Sequence, residues 1–414
     1  MGLKSHFEIL DMNMAATFGR AISEVDQLII GQAHELSDKL KQHRLEMFPP
    51  VAQKNLRQFQ LSEAAHFLGV TSGYLRNLSL ESKGPMPQVT PSGRRSYSAE
   101  QLQEMREYLE QNGRSGQRYV PRRRGSEHLQ VIAVVNFKGG SGKTTTTAHL
   151  AQNLALTGHR VLAVDLDPQA SLSAVHGFQP EFDVNENETL YGAIRYDDQR
   201  RPLKEIIRKT NFPGLDIVPG NLELMEFEHD TPRVLAQGDR SDYGRIFFAR
   251  LDEALSSVAD DYDVVVIDCP PQLGFLTMSA ICGATAVLIT VHPQMLDVMS
   301  MCQFLQMLGE VLNTLKSAGG NMNLDWLRYL VTRYDPADGP QTQMVAFMRS
   351  LFKQHVLTNP MVRSVAIADA ALTNQTLYEV DRSQFTRTTY DRALESMEAV
   401  NAEIVELIHK AWGR

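Results

Sequence analysis

The sequence predicts an α/β protein in which a doubly wound, mainly parallel sheet is preceded by an all-α, winged helix-turn-helix domain. Short apolar, β-branched runs recur between residues 131 and 332, the pattern of strands buried on both faces. Helix-like segments separate these runs, which is how parallel strands are joined. The first run, 131–135, opens into the loop Lys138-Gly139-Gly140-Ser141-Gly142-Lys143-Thr144 and then a helical stretch carrying Ala148, Leu150, Ala151 and Leu154.

Composition bounds what the elements can be. The chain has 414 residues, 43% of them hydrophobic and 22% charged, ordinary for a globular protein of two or three domains. Cys269, Cys282 and Cys302 show no paired spacing, so buried thiols in a reducing compartment are expected rather than a zinc site or disulfides. The N-terminal stretch lacks the apolar centre of a leader, and no run of 18 apolar residues occurs, which predicts a cytoplasmic protein. The net charge of −8 is uneven. Residues 51–125 hold 12 Lys/Arg against 6 Asp/Glu, so a module of +6 is attached to a body of −14, and a local nucleic-acid surface is expected.

Taken in order, residues 1–50 contain a helix over 14–47 with Ile22, Val25, Ile29, Ala33, Leu36 and Leu40 as a loose apolar stripe, weakened at His43, resumed at Met47 and stopped by Pro49-Pro50. The stripe suits either dimerisation or packing on the next domain. Residues 51–112 form that domain. Ser62 can cap a short helix, Gly69-Val70 turn the chain, and Thr71 or Ser72 caps a second helix whose outward side offers Ser72, Gly73, Arg76 and Asn77. Arginine and asparagine can read guanine and adenine edges bidentately. A turn bearing Arg94 and Arg95 follows, then a helix over 99–111. The arrangement resembles the winged helix-turn-helix of MerR-like regulators, with Arg94 and Arg95 near a phosphate backbone. Residues 113–126 contain Arg114, Arg118, Arg122, Arg123 and Arg124, no acidic residue, and several Gly and Pro, which predicts a basic linker.

The body occupies 127–414. Strand, glycine loop and helix in succession make a phosphate cradle: glycines let backbone amides face an anion, and the helix N-terminus adds its dipole. Lys143 can reach the β- and γ-phosphates, and Thr144 can ligate Mg²⁺. The usual G-x-x-x-x-G-K-[ST] is altered, because Phe137 replaces the first glycine and Lys138 adds a second lysine. This form resembles the deviant Walker A loop of the ParA/MinD family of dimerising ATPases. The resemblance makes Lys138, Gly139, Gly140, Ser141, Gly142, Lys143, Thr144 and Thr145 the nucleotide-binding set, with Lys138 acting on the nucleotide of a second protomer.

The strand over 160–165 ends in Asp165-Leu166-Asp167-Pro168-Gln169, at the sheet edge where ligands bind. It resembles the family's second motif, by which Asp167 orients the attacking water and Asp165 supports the metal region. Residues 176–211 read as surface connections. The strand over 262–268 ends in Asp268, which fits a Walker B carboxylate for Mg²⁺, and 270–274 would form a switch loop. Segments near Arg333-Tyr334-Asp335-Pro336 and Asn359-Pro360-Met361 approach the adenine in related proteins. Arg363 falls on a family position that binds DNA without sequence preference. The acidic helix over 386–412 does not resemble a basic membrane tail.

The resemblance covers about 131–406, and the N-terminal module points to the larger plasmid-type ParA proteins, the partition ATPases of repABC plasmids among them. It implies ATP and Mg²⁺, a homodimer, an ATPase that is weak until stimulated by a ParB- or RepB-like centromere-binding partner, non-specific binding to nucleoid DNA, and autorepression at a specific operator favoured by ADP. Catalysis would rest on Lys138, Lys143 and Asp167, the metal on Thr144, Asp165 and Asp268, and DNA contacts on Arg76, Asn77, Arg94, Arg95 and Arg363. A nucleotide-switched repressor without a transport role is the alternative reading. A MinD-like membrane-cycling ATPase is disfavoured by the acidic C-terminal helix.

Overall fold

The computed structural model describes residues 25–39, 54–113, 116–237, 246–317 and 323–414. They fall into two compact units, Met1–Asn55 and Leu56–Arg414. In the first, residues 25–39 form a helix with exposed Val25, Leu28, Ile29, Ile30 and Leu36, and Glu35 pairs with Lys39 at 2.7 Å. Ile22, Leu40, His43 and Met47 of the expected stripe lie outside the described residues.

The second unit begins with a short strand β1 (Phe59–Gln60) and two helices, Leu61–Leu68 and Ser72–Leu80. Gly69 closes the first helix at φ 67, a left-handed position that glycine adopts at no cost. The cap of that helix is Gln60 rather than Ser62: Glu63 accepts from the Gln60 amide at 2.9 Å, and Ser62 already lies in the first turn. Thr71 caps the second helix by accepting from the Tyr74 amide. The wing consists of β2 (Gln88–Val89) and β3 (Arg95–Tyr97), with β3 also pairing antiparallel with β1. Helix Ala99–Asn112 follows, capped by Ser98 and Gln101.

The main sheet has seven strands: β4 (Gln130–Val135), β5 (Val161–Asp165), β6 (Arg208–Lys209), β7 (Leu215–Val218), β8 (Val264–Asp268), β9 (Ala286–Val291) and β10 (Trp326–Val331). Their order is β10-β9-β4-β8-β5-β7-β6, all parallel except β6 on the edge. Alternate residues feed two cores. Ile132, Val134, Ala163 and Val266 enter one, and Ala133, Val135, Val164 and Ile267 the other. This is the doubly wound architecture expected, with helices on both faces. The stretch 176–211 is not surface connection alone, since Leu190, Ala193, Ile194, Leu203 and Ile206 are buried in the second core. Cys302 is exposed, against the expectation of buried thiols, while Cys269 is buried and Cys282 intermediate.

The helical module and the α/β body share one core. Phe67, Leu75, Met105 and Leu109 belong to the same buried cluster as Leu150, Leu154 and Tyr378. The stretch expected as a linker is packed: Tyr119 is buried, Glu110 accepts from the amides of Tyr119 and Val120, and Arg123 reaches Asp263 and Ala259. Arg114 lies outside the described residues. At the junction, Arg106 is 6% exposed and faces no carboxylate among the described residues. Its guanidinium donates to the carbonyls of Phe67 (2.7 Å), Tyr119 (3.0 Å) and Leu156 (3.1 Å), tying helical module, connecting segment and body together. Burial lowers its pKa to about 10, which leaves it charged at neutral pH.

Arg106→Ala strands three buried carbonyls, so unfolding in urea should show a loss of about 2–4 kcal/mol. A change below about 0.5 kcal/mol, the scale of surface substitutions, would remove Arg106 as the tie.

Candidate nucleotide site and nucleic-acid surface

The glycine loop leaves β4 at the C-terminal edge of the sheet and enters helix Lys143–Leu156. Gly140 (φ 75) and Gly142 (φ 86) are left-handed, a conformation that strains other residues. A Cβ on Gly142 would meet Thr332 at 3.5 Å. The loop is held from its carbonyl and side-chain side. Arg333 Nη1 donates to the Gly140 carbonyl (3.0 Å), Thr332 Oγ1 to the Ser141 carbonyl (2.7 Å), and the Asn136 carboxamide accepts the Lys138 amide (2.7 Å). Among the described residues, the amides of Gly139 through Thr145 have no protein acceptor. Seven consecutive donors left unpaired beside a helix N-terminus form an anion site.

Lys143 is buried, its Nζ 3.4 Å from the Lys138 carbonyl. Burial lowers its pKa, opposed by Asp268, Cys269 and Asp167. Parallel pairing of β5 with β8 sets Asp165 opposite Asp268, and neither is accessible to solvent. Burial raises Asp165 to about 7, although Ser173 counters it by donating through its amide and hydroxyl, both at 2.7 Å. The other Asp165 oxygen accepts the Asp167 amide at 3.3 Å. One oxygen therefore serves the loop that carries Asp167, and the other the short helix, Ser171–Val175, that follows it. Asp268 differs: Oδ2 accepts from Thr144 Oγ1 at 2.6 Å, whereas Oδ1 is buried without a protein partner among the described residues. Burial, then the neighbouring Asp165 charge, raises its pKa well above the usual carboxylate value. Thr144 Oγ1 beside an unpartnered carboxylate oxygen suits a hard divalent cation. Asp167 is half-exposed at the rim.

Three further contributors have roles that the sequence reading did not assign: Arg333, placed there only near the adenine, and Glu228 come from distant parts of the chain, and Ser173 lies eight residues after the carboxylate it holds. Arg333 (φ 52) reaches the loop from the end of β10. Ser173 holds Asp165. Glu228 accepts the amides of Phe275 (2.8 Å) and Leu276 (2.9 Å), fixing the helix that follows the 270–274 loop. Lys138 does not lie over the loop. It ion-pairs with Asp297, in the first turn of helix Met295–Ser317. Thr145 accepts from His149 Nδ1 at 2.7 Å through its carbonyl.

The basic candidates are not gathered in one place. Arg76 and Asn77 are exposed side by side on helix Ser72–Leu80, and Arg94 is exposed at the wing tip. Arg95 is half-buried and braces the wing, donating to Ser79 Oγ at 3.2 Å and to the Gly93 carbonyl at 3.4 Å. Arg363 is exposed elsewhere, its amide bound to the Tyr334 carbonyl just after β10. Asn359 is engaged by Glu403 through its amide (3.0 Å) and side chain (3.1 Å).

A family profile described as an AAA domain matches residues 129–319. The curated relative named "Putative replication protein A" from Sinorhizobium fredii (strain NBRC 101917 / NGR234) is 64% identical over 390 residues, covering 94% of this chain and 95% of the relative. Protein SopA of Escherichia coli (strain K12) is 30% identical over 391 residues, covering 92% and 97%. A solved structure described as "Partition Protein" shares the fold, with a TM-score of 0.62 at 17% identity over 93% of this chain and 98% of that one. No helix among the described residues is long and apolar enough to cross a membrane.

The buried Asp268 carboxylate generates a pH prediction. With its folded pKa raised, the native state holds a proton that the unfolded chain gives up above about pH 4, so stability falls as pH rises through that window. Without nucleotide and Mg²⁺, Asp268→Asn should be more stable than wild type by roughly 1–3 kcal/mol at pH 8, and the gap should narrow toward pH 5. Thermal melts across pH check this, and a pH-independent gap would contradict the assignment.

Proposed function

The chain belongs to the ParA/MinD-type P-loop ATPases, and on that footing we propose that it is a plasmid-partition ATPase resembling RepA of the repABC plasmids. The observation that carries the proposal is the amide cradle of Gly139 to Thr145 with two lysines, one buried beside it and one directed away from it. The loop amides and Lys143 bind the β- and γ-phosphates of ATP. Thr144 and Asp268 hold Mg²⁺, which neutralises charge on those phosphates. Asp165 acts on the site indirectly, by fixing the loop that presents Asp167, and Asp167 orients the attacking water. Lys138 contributes its charge to the phosphates bound by a second copy of the chain, so that two nucleotides are enclosed in a homodimer.

In this reading the ATP-bound dimer binds nucleoid DNA without sequence preference through a surface that includes Arg363. A ParB- or RepB-like centromere-binding partner raises an otherwise weak ATPase activity and releases the protein locally. Arg76 and Asn77 read base edges in an operator, Arg94 meets backbone phosphate, and Arg95 positions the wing. That binding represses the protein's own operon. Arg106 and the shared core support a link between the two activities, because they join the helical module to the helix that starts at the phosphate cradle. The protein is expected to be cytoplasmic and nucleoid-associated.

Binding to random-sequence DNA at one fixed salt concentration, with ATP, ADP or neither, tests the proposal directly. Binding should require ATP and be lost in Lys138→Gln, whereas binding indifferent to nucleotide would leave the helix-turn-helix as the sole DNA contact and favour the repressor reading. The salt must be held constant because phosphate contacts make affinity steeply salt-dependent. Lys143→Ala should weaken ATP binding by at least about 100-fold. Asp167→Ala should accumulate an ATP-bound dimer, and normal hydrolysis by that variant would refute the water-orienting role.

A further inference from the structure

Lys138 is committed within its own chain. Its ammonium pairs with one oxygen of Asp297, and the other oxygen stands 3.2 Å from His292 Nδ1. The Asp297 side chain is 9% exposed and that of Lys138 46%. Burial, then Arg333, lowers the pKa of His292, which makes that ring neutral at pH 7 and a hydrogen-bond donor rather than a counter-charge. Among the described residues, Lys138 is thus the full positive charge that answers a largely buried carboxylate. Phe137, Met295, Leu296 and Met299 are exposed beside the pair, an apolar rim at the same loop and helix start.

One ammonium cannot neutralise Asp297 and the phosphates of another molecule at once. We infer that Asp297 is a latch: it holds Lys138 on its own chain, and the triphosphate bound to a second copy must outcompete it before the dimer closes. Asp297 is therefore a positioning residue that sets the threshold for ATP-dependent association. The inference rests on the reading above, in which Lys138 acts across a dimer. A triphosphate carries several negative charges against the single charge of Asp297, so ATP can win the exchange. Without it, the lysine stays with the carboxylate, and association without ATP is suppressed. Each dimer opens two latches, so the effect of removing them enters twice.

The test is self-association of wild type, Asp297→Asn, Asp297→Glu, Lys138→Gln and the Lys138→Gln/Asp297→Asn double variant, by sedimentation with a slowly hydrolysed ATP analogue and Mg²⁺. Asp297→Asn should dimerise at about 3- to 30-fold lower protein concentration, the square of what a partly exposed ion pair contributes. Asp297→Glu should return toward the wild-type midpoint. In the Lys138→Gln background the Asp297→Asn exchange should change nothing. Amine labelling of nucleotide-free protein supplies a readout that needs no dimer: Lys138 should label about two- to fivefold faster in Asp297→Asn, with Lys143 unaffected. A wild type that dimerises while Asp297→Asn matches it or associates less overturns the latch alone, as does an equal shift without Lys138 or unchanged labelling. A wild type that stays monomeric with the analogue overturns the dimer reading and the latch with it.

Discussion

Two carboxylates stand opposite one another at the ends of adjacent buried strands, and the rest of the site is arranged around their cost. Asp165 and Asp268 are in register across β5 and β8, with no solvent access at either. In an interior of low dielectric, like charges so close raise one another's pKa and that of any acid nearby. The chain resolves the two differently. Asp165 is saturated by Ser173 and the Asp167 amide and becomes a strut for the segment that carries Asp167. Asp268 keeps one oxygen unpartnered, with Thr144 on the other and Lys143 close by. A buried carboxylate left in this condition is relieved by a proton or by a cation, and seven unpaired amides beside it are relieved by an anion. The site is electrostatically incomplete on both counts, and a metal–nucleotide would complete both together.

The phosphate loop and the helical module meet through a single element. Helix Lys143–Leu156 presents its first residues to the loop, while its last carbonyl accepts from Arg106 of the module. Fourteen residues at 1.5 Å each make this about 20 Å of rigid connection. Its flank is fixed as well. His149, held neutral by burial, accepts the Leu377 amide at 3.2 Å, and Asn153 donates to the Tyr378 hydroxyl at 3.1 Å. Arg57, at the entrance to the module, donates to the Tyr378 carbonyl and pairs with Glu63. Module and nucleotide loop are consequently attached to the same beam, and the described residues of the connecting segment are packed against the body.

The sequence by itself determined what depends on neighbours along the chain. The buried strands over 131–135, 160–165 and 262–268 were legible because parallel strands covered on both faces must be apolar throughout. The glycine loop was legible because a tight turn with inward amides needs glycine and needs it in order. Arg76 and Asn77 could be placed on an outward helix side by period alone, and the two short helices by Gly69 and the polar residues around them. The same local reasoning put the cap of the first helix at Ser62, two residues late, since serine is the better cap by type while the Gln60–Glu63 exchange is visible only once the turn has formed.

Only the tertiary structure decided which charges are paired and which segments are inside. Stretch 176–211 is polar enough to read as surface, yet Leu190, Ile194 and Ile206 close one core because helices elsewhere in the chain cover them. An arginine-rich stretch reads as a free linker until Tyr119 and Arg123 are seen packed against the body. Asp165 and Asp268 carry the same residue type at the same strand position, and their division into strut and unpartnered carboxylate follows from Ser173 and Thr144, which come from different helices. Lys138 belongs to a motif, but its partner Asp297 lies 159 positions away in sequence. Local propensity operates over a few residues, whereas burial and ion pairing depend on distance in space, and only the folded chain sets that distance.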